Sequence, residues 1–165
     1  MKGLATAAAL GLAIATGAAH ADANPPAPHE HSAAKAEAYV PGLGEIMSLQ
    51  QMRHAKLWFA GARGNWALAN YELDELREGF GDAGKLHATH ESVPVAALIA
   101  KLTPAPLEAL GKAIQRNSAA EFRRSFDALT AACNTCHQAA NHGFIRIRRP
   151  AGPAYGNQEF APAPK

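Results

Sequence analysis

The chain has 165 residues, with 16 Lys and Arg against 14 Asp and Glu, eight His and two Cys. A chain of this length most often folds as one domain, which excludes two sizeable domains. Its formal net charge is only +2, so the sequence creates no long-range field that favours nucleic acid as a partner.

The N-terminus is typical of a secretory signal peptide. It has a Lys at position 2, an apolar stretch rich in small residues at 4–19, and Ala-His-Ala at 19–21, which fits the small-x-small cleavage pattern. A membrane-spanning helix needs about 20 strongly apolar residues, and this stretch is shorter and Ala-rich. We therefore predict cleavage after Ala21, a periplasmic location and a mature protein that does not span a membrane.

The next part of the chain is predicted to be a flexible lead-in followed by a helix. Residues 22–40 mix Ala, Pro, His and Glu without hydrophobic periodicity and cannot bury enough apolar surface to fold alone. After Pro41 a helical pattern begins, and we expect this first helix to end within 61–64. The side chains that share one side of it are Leu43, Ile46, Met47, Gln50, His54, Leu57 and Trp58.

A second helix is predicted to begin after its cap Asn65 and to end near Phe80, where three glycines lie within 79–84. The following stretch, 85–103, is less regular. It contains a short apolar run, 95–102, and we predict a connection with one or two helical turns.

Two further helices are predicted in the second half of the chain. Pro104 and Pro106 are tolerated at the start of the third helix. Its buried side is formed by Leu107, Leu110 and Ile114. The fourth helix is capped by Ser118, with Glu121 three residues later as in a capping box, and continues to about Ala140.

The fourth helix carries the motif that indicates chemistry. Its core-facing stripe of Phe122, Phe126 and Leu129 continues through Cys133 and Cys136. His137 follows directly. Two thiols three residues apart on one helix can bond the two vinyl carbons of a haem, while the adjacent imidazole reaches the iron.

We therefore predict one covalently attached haem c, held by Cys133 and Cys136, with His137 as an axial iron ligand. Three other interpretations of the cysteines are weaker. A zinc site needs two further ligands, and the chain has no other Cys. A thioredoxin-like pair needs a strand and helix context, and a structural disulfide leaves His137 without a role. Haem attachment takes place outside the bacterial cytoplasm, which the signal peptide provides for.

A tail of residues 143–165 follows the predicted helical domain, residues 41–142. Within it, residues 144–148 alternate apolar and basic side chains, which predicts a short strand. We expect the tail to wrap over the domain and to shield a haem edge with Phe144 and Ile147.

The order of a signal peptide, a helical bundle and a Cys-x-x-Cys-His motif near the end of the last helix resembles the class II c-type cytochromes, the cytochrome c′ and cytochrome c-556 group. Class I cytochromes c carry this motif near their start. The resemblance covers about residues 42–142 and rests on Glu45, Ile46, Met47, Phe122, Phe126, Cys133, Cys136 and His137.

The resemblance implies an all-α, antiparallel four-helix bundle with the haem attached near the end of the last helix. This chain resembles a diverged member of the group with a C-terminal extension. Relatives often pair through their first two helices, so the resemblance leaves a homodimer open.

The sixth iron ligand decides the function. Met47 and Met52 are five positions apart, hence about 140° apart around the helix, so only one can face the haem. In an up-down-up-down bundle the start of the first helix lies beside the end of the fourth, which favours Met47. His54 lies about 10 Å deeper and is a second candidate, an open position is a third, and His87, His90 and His142 are less favoured.

A Met ligand makes an electron carrier, whereas an open position leaves the iron accessible to small gases. We expect a carrier of single electrons between periplasmic redox proteins, with a protein that binds nitric oxide or carbon monoxide as the alternative. A peroxidase is disfavoured because it needs a distal acid–base group, for which the first helix offers only Gln50 or His54. Six aromatic residues are expected to be core residues that build the haem pocket, since aromatics provide much of the burial in a small domain: Trp58, Phe59, Trp66, Phe80, Phe122 and Phe126.

Overall fold

The structure is a computed structural model that describes residues 39–152 and 155–164. The predicted signal peptide and residues 22–38 of the predicted lead-in lie outside the described residues. The described chain is all-α and contains five helices: α1 (Leu43–Ala62), α2 (Trp66–Leu86), α3 (Val95–Leu102), α4 (Pro104–Gln115) and α5 (Ala119–Ala139). α1 packs antiparallel to α2, α4 packs antiparallel to α5, and α1 also contacts α5. None of the described helices has the length and apolar character that a membrane span requires.

The sequence predicts four helices, and the fifth is α3. The apolar run that was expected to hold one or two helical turns is a helix of eight residues, or about two turns. It ends where the Thr103 N–H donates to the Ile99 carbonyl, at 3.0 Å. Pro104 follows and has no N–H to continue the same ladder, so α4 begins as a separate helix.

The prediction that glycines end the second helix near Phe80 is wrong, because α2 continues to Leu86. A glycine inside a helix costs about 1 kcal/mol relative to Ala, and tertiary contacts offset that cost here. A Cβ on Gly79 would lie 2.6 Å from Oε1 of Gln50. The missing side chain lets the Gln50 amide approach α2 and donate to the Leu76 carbonyl, at 2.8 Å.

Both predicted N-caps are confirmed. The Asn65 side chain accepts a hydrogen bond from the Leu68 N–H, and Ser118 accepts one from the Glu121 N–H. The second half of the expected capping box differs, because the Glu121 carboxylate pairs with Arg116 across the turn between α4 and α5. Local sequence signals therefore locate both helix starts. The Glu121 carboxylate, however, pairs with a nearby cation instead of completing the capping box.

The buried core and the free space of the bundle lie at opposite ends. The core joins the second half of α1 to the first halves of α2 and α5 and to α4. Its largest fully buried apolar side chains are Leu57, Leu73, Leu76, Leu110, Phe122, Phe126 and Leu129. The first half of α1, the second half of α5 and α3 surround a cavity instead.

A pair of glycine substitutions tests the packing of this core. A Cβ on Gly61 of α1 would overlap the ring of Phe122, which is fully buried and cannot move away. We expect Gly61→Ala to lower the free energy of unfolding by about 1–3 kcal/mol in urea denaturation. Gly81 of α2 has open space around its Cα, so Gly81→Ala should raise the same quantity by about 0.5–1 kcal/mol. A stabilising Gly61→Ala would contradict the contact.

Candidate functional site

A cavity of about 330 Å³ lies between the first half of α1 and the second half of α5. This volume is within the range of about 300–1,000 Å³ that small-molecule sites occupy. Its walls are mainly apolar. The apolar side chains outside α5 are Leu43, Met47, Leu76, Phe80, Val93, Val95, Leu98, Ile99, Ile145 and Ile147.

The structure brings the residues expected to hold the cofactor to this one cavity. They are Met47, Cys133, Cys136 and His137. Met52 is not among the lining residues, in keeping with its rotation around α1 relative to Met47. His54 lines the cavity as well, so both first-helix candidates for the sixth ligand belong to the same wall.

Both cysteines are free thiols in the structure. Burial raises the pKa of Cys133 to about 11, and the nearby Cys136 adds to the rise. Burial also raises the pKa of Cys136. Both thiols are therefore uncharged at neutral pH, whereas a redox-active pair contains a thiol whose pKa is lowered. Within residues 39–152 and 155–164, no three His, Cys, Asp or Glu side chains are grouped to hold a metal ion.

The imidazole of His137 is fixed by one hydrogen bond. Its Nδ1 lies 2.8 Å from the backbone carbonyl of Ile145. A carbonyl only accepts, so Nδ1 carries the proton and Nε2 keeps its lone pair. Histidines that bind metals usually donate their second ring N–H to a carbonyl or carboxylate in this way, which fixes the tautomer and the ring orientation.

In His54 the other ring nitrogen, Nε2, is the one that is hydrogen-bonded inside the protein. Its Nε2 lies 2.8 Å from Oγ1 of Thr130, and that hydroxyl donates its single proton to the Phe126 carbonyl at 2.9 Å. The hydroxyl therefore accepts from His54, and Nε2 carries the proton. Burial lowers the pKa of His54 to about 4, so the ring is neutral at pH 7 and its Nε2 is engaged inside the fold.

Three apolar site residues were not predicted from the sequence: Val95, Leu98 and Ile99 of α3, which form one wall of the cavity. His90 and His142, the less favoured ligand candidates, also line it. The apolar run 95–102 was the available signal for α3. His87 does not line the cavity, because its Nε2 bonds to the Pro41 carbonyl instead.

His90 is held by a tight turn, in which it exchanges two backbone hydrogen bonds with Val93. Glu91 and Ser92 between them have φ values of 47° and 70°. Such left-handed positions are uncommon for residues other than Gly and cost of order 1 kcal/mol or more each. The turn therefore places His90 beside the cavity at a local cost.

The expected core role of the six aromatic residues is confirmed, because each of them belongs to the core or packs against it. Their expected place in the pocket is wrong for five of them, because of the six only Phe80 lines the cavity. The other five, Trp58, Phe59, Trp66, Phe122 and Phe126, belong to the core or pack against it. The rings contact one another, with centroids 5.0 Å apart between Trp58 and Phe126, which satisfies their apolar surface without a ligand.

The predicted strand at 144–148 is also wrong, because the described residues there are irregular chain. Ile147 lines the cavity as expected, but Phe144 is 79% exposed and Ile145 takes its place. The N–H and carbonyl of Ile147 bond to the side-chain amide of Asn134 rather than to a neighbouring strand. A side chain thus satisfies backbone groups that a strand would pair.

Comparisons of the chain with protein-family models, with curated proteins and with solved structures found no match. What the site does is therefore inferred from its own residues and their geometry.

The buried His54 predicts a dependence of stability on pH. Its pKa is about 4 in the folded chain against an ordinary value of 6.5, so between these pH values the unfolded chain binds more protons. The free energy of unfolding is therefore not reduced by His54 above pH 6.5. It falls as the pH is lowered towards 4, and the titration of this one group accounts for up to about 3 kcal/mol of the fall. Urea denaturation across that interval should show a flatter dependence for His54→Gln than for the unsubstituted chain. Because the carboxylates titrate in both chains, their effect is the same in both and drops out of the comparison. An equal pH dependence of the free energy of unfolding in the two chains would contradict the burial of a neutral His54 ring.

Proposed function

We propose that this chain is an exported monohaem c-type cytochrome that carries single electrons between periplasmic redox proteins. The observation that supports this most is the combination at the end of α5. Cys133, Cys136 and His137 face one largely apolar cavity, and the Nδ1–H of His137 is held by the Ile145 carbonyl so that Nε2 remains available.

The donor set fits a haem. Two uncharged thiols lie on one helix for attachment, and an imidazole follows with a lone pair on Nε2. A bound haem supplies an iron that accepts and releases one electron. In this proposal Cys133 and Cys136 would hold the haem covalently through its vinyl carbons, and His137 would bind its iron.

The helical arrangement supports the resemblance to the cytochrome c′ and cytochrome c-556 group. The four longer helices α1, α2, α4 and α5 form the bundle in this proposal, with the attachment motif in the last turns of α5. The short helix α3 covers the cavity from the side and supplies apolar wall.

Met47 is the residue we propose as the second protein ligand that would bind the iron. It lies on α1 in the cavity wall, and its thioether carries no proton that would have to leave. His54 shares the wall, but its Nε2–H is bonded to Thr130 and this bond would have to break before that nitrogen could bind iron. A thioether on iron favours the ferrous state, which suits an electron carrier.

A second candidate is a five-coordinate protein that binds nitric oxide or carbon monoxide. The observation that favours it is the apolar wall contributed by α3, where Leu98 and Ile99 offer no ligand atoms. If Met47 does not bind the iron, this face admits a small uncharged gas.

Haem attachment is directly measurable. We expect the purified full chain, expressed in a bacterium that matures c-type cytochromes, to have the mass of the polypeptide from Asp22 plus one haem. The haem should remain with the chain in denaturing electrophoresis, because two thioether bonds hold it. Cys133→Ala combined with Cys136→Ala should abolish the covalent haem. A colourless unsubstituted chain with two free thiols would exclude the proposed function.

The axial role of Met47 is tested against Met52 on the same helix. Met47→Leu conserves volume and apolarity, so stability should fall by less than about 1.5 kcal/mol. The ferric absorption spectrum should change from low-spin to high-spin, the reduced protein should bind carbon monoxide, and the midpoint potential should fall because the thioether is lost. Met52→Leu should alter none of these. A high-spin spectrum in the unsubstituted chain would favour the gas-binding candidate instead.

A further inference from the structure

The chain reverses direction immediately after the attachment motif. α5 ends in a Schellman motif, in which the Asn141 N–H donates to the Gln138 carbonyl and the His142 N–H donates to the His137 carbonyl at 2.7 Å. Asn141 provides the left-handed conformation that this motif needs, with φ of 60°. The backbone of residue 142 is thereby fixed next to the backbone of His137.

A second anchor starts from inside the attachment motif. The side-chain amide of Asn134 donates to the Ile147 carbonyl at 2.9 Å and accepts from the Ile147 N–H at 2.8 Å. One side chain therefore satisfies both backbone groups of one residue. This pairing holds residue 147 against the surface of α5.

The carbonyl that orients His137 lies between these two anchors. The Ile145 N–H donates to the His142 carbonyl at 2.9 Å, and the Ile145 carbonyl accepts from Nδ1 of His137 at 2.8 Å. The segment between residues 142 and 147 is too short to move its middle while both ends are held.

Apolar burial holds this segment only weakly. Phe144 is 79% exposed and Ile145 is 41% exposed, while Ile147 is half-buried at the cavity wall. Farther along, Arg149 pairs with Asp127 and lies over the ring of Trp58, which holds residue 149 outside the segment. Within residues 142–147, the hydrogen bonds of the two anchors are therefore the contacts that fix the Ile145 carbonyl most directly.

We infer that Asn134 is a positioning residue for His137: through Ile147 it holds the Ile145 carbonyl on Nδ1 and so sets how strongly Nε2 donates to a bound iron. The part of this inference that concerns iron rests on the proposed function. A hydrogen bond from Nδ1–H to a carbonyl makes the imidazole a stronger donor. Stronger donation favours ferric iron, so loss of the bond raises the midpoint potential.

The test compares two adjacent residues of the motif. Asn134→Ala removes the anchor, while Thr135→Ala is the matched control, because the Thr135 hydroxyl donates within its own helix, to the Ala131 carbonyl. Hydrogen exchange is measured by NMR on the full chain at the Ile147 amide and at the Nδ1 proton of His137. Two hydrogen bonds are lost, so exchange at both positions should become faster by about tenfold or more. The midpoint potential should rise in Asn134→Ala and stay constant in Thr135→Ala.

A second variant acts on the other anchor. Asn141→Val places a β-branched residue at a left-handed position, which opens the Schellman motif. It should also accelerate exchange at Nδ1 of His137 and raise the midpoint potential. Agreement between the two variants assigns the effect to the Ile145 carbonyl rather than to residue 134 itself.

Unchanged exchange at His137 Nδ1 in Asn134→Ala overturns the positioning role, and so does faster exchange with an unchanged potential. A chain that carries no haem excludes the proposed function. In that case the exchange rates alone decide whether Asn134 holds the carbonyl on His137.

Discussion

The structure of the site depends on the register of α5. The same stripe of this helix carries Phe122 and Phe126 into the core and then Cys133 into the cavity wall. Burial of the first two rings fixes the rotation of the helix about its axis. That rotation in turn determines which way the thiols and the imidazole of the motif face. The packing at one end of the bundle therefore determines how the side chains of Cys133, Cys136 and His137 are oriented at the other end.

The bundle separates stability from the candidate function. Aromatic and aliphatic side chains fill the end where α1 finishes and α5 begins, while the opposite end keeps a cavity. Polar groups between the two ends are satisfied inside the protein: Gln50 donates to the Leu76 carbonyl, and His54 donates to Thr130. These two bonds satisfy polar groups in the cavity wall without involving Cys133, Cys136 or His137.

A feature of this protein was predictable from the sequence when the residues that determine it lie close together along the chain. Asn65 and Ser118 were identifiable as caps because each bonds a residue only three positions away. The end of α2 was not predictable, because it depends on Gln50 approaching Gly79 from another helix. The tail shows the same limit. Its alternating pattern predicts a strand, but Asn134, thirteen positions earlier, satisfies the backbone of Ile147. The cysteines and His137 were identifiable because the motif is local.

The position of His137 has an electrostatic consequence. It lies in the last turn of α5, which ends at Ala139. Peptide dipoles add along a helix and give its C-terminal end a partial negative charge, which stabilises a nearby positive charge by about 0.3–1 kcal/mol near a surface. The Schellman hydrogen bonds neutralise part of this charge by using the carbonyls of His137 and Gln138. A charged group held beside this helix end would therefore be in a helix field that favours its more positively charged state, and the hydrogen bonds of the cap would weaken that field.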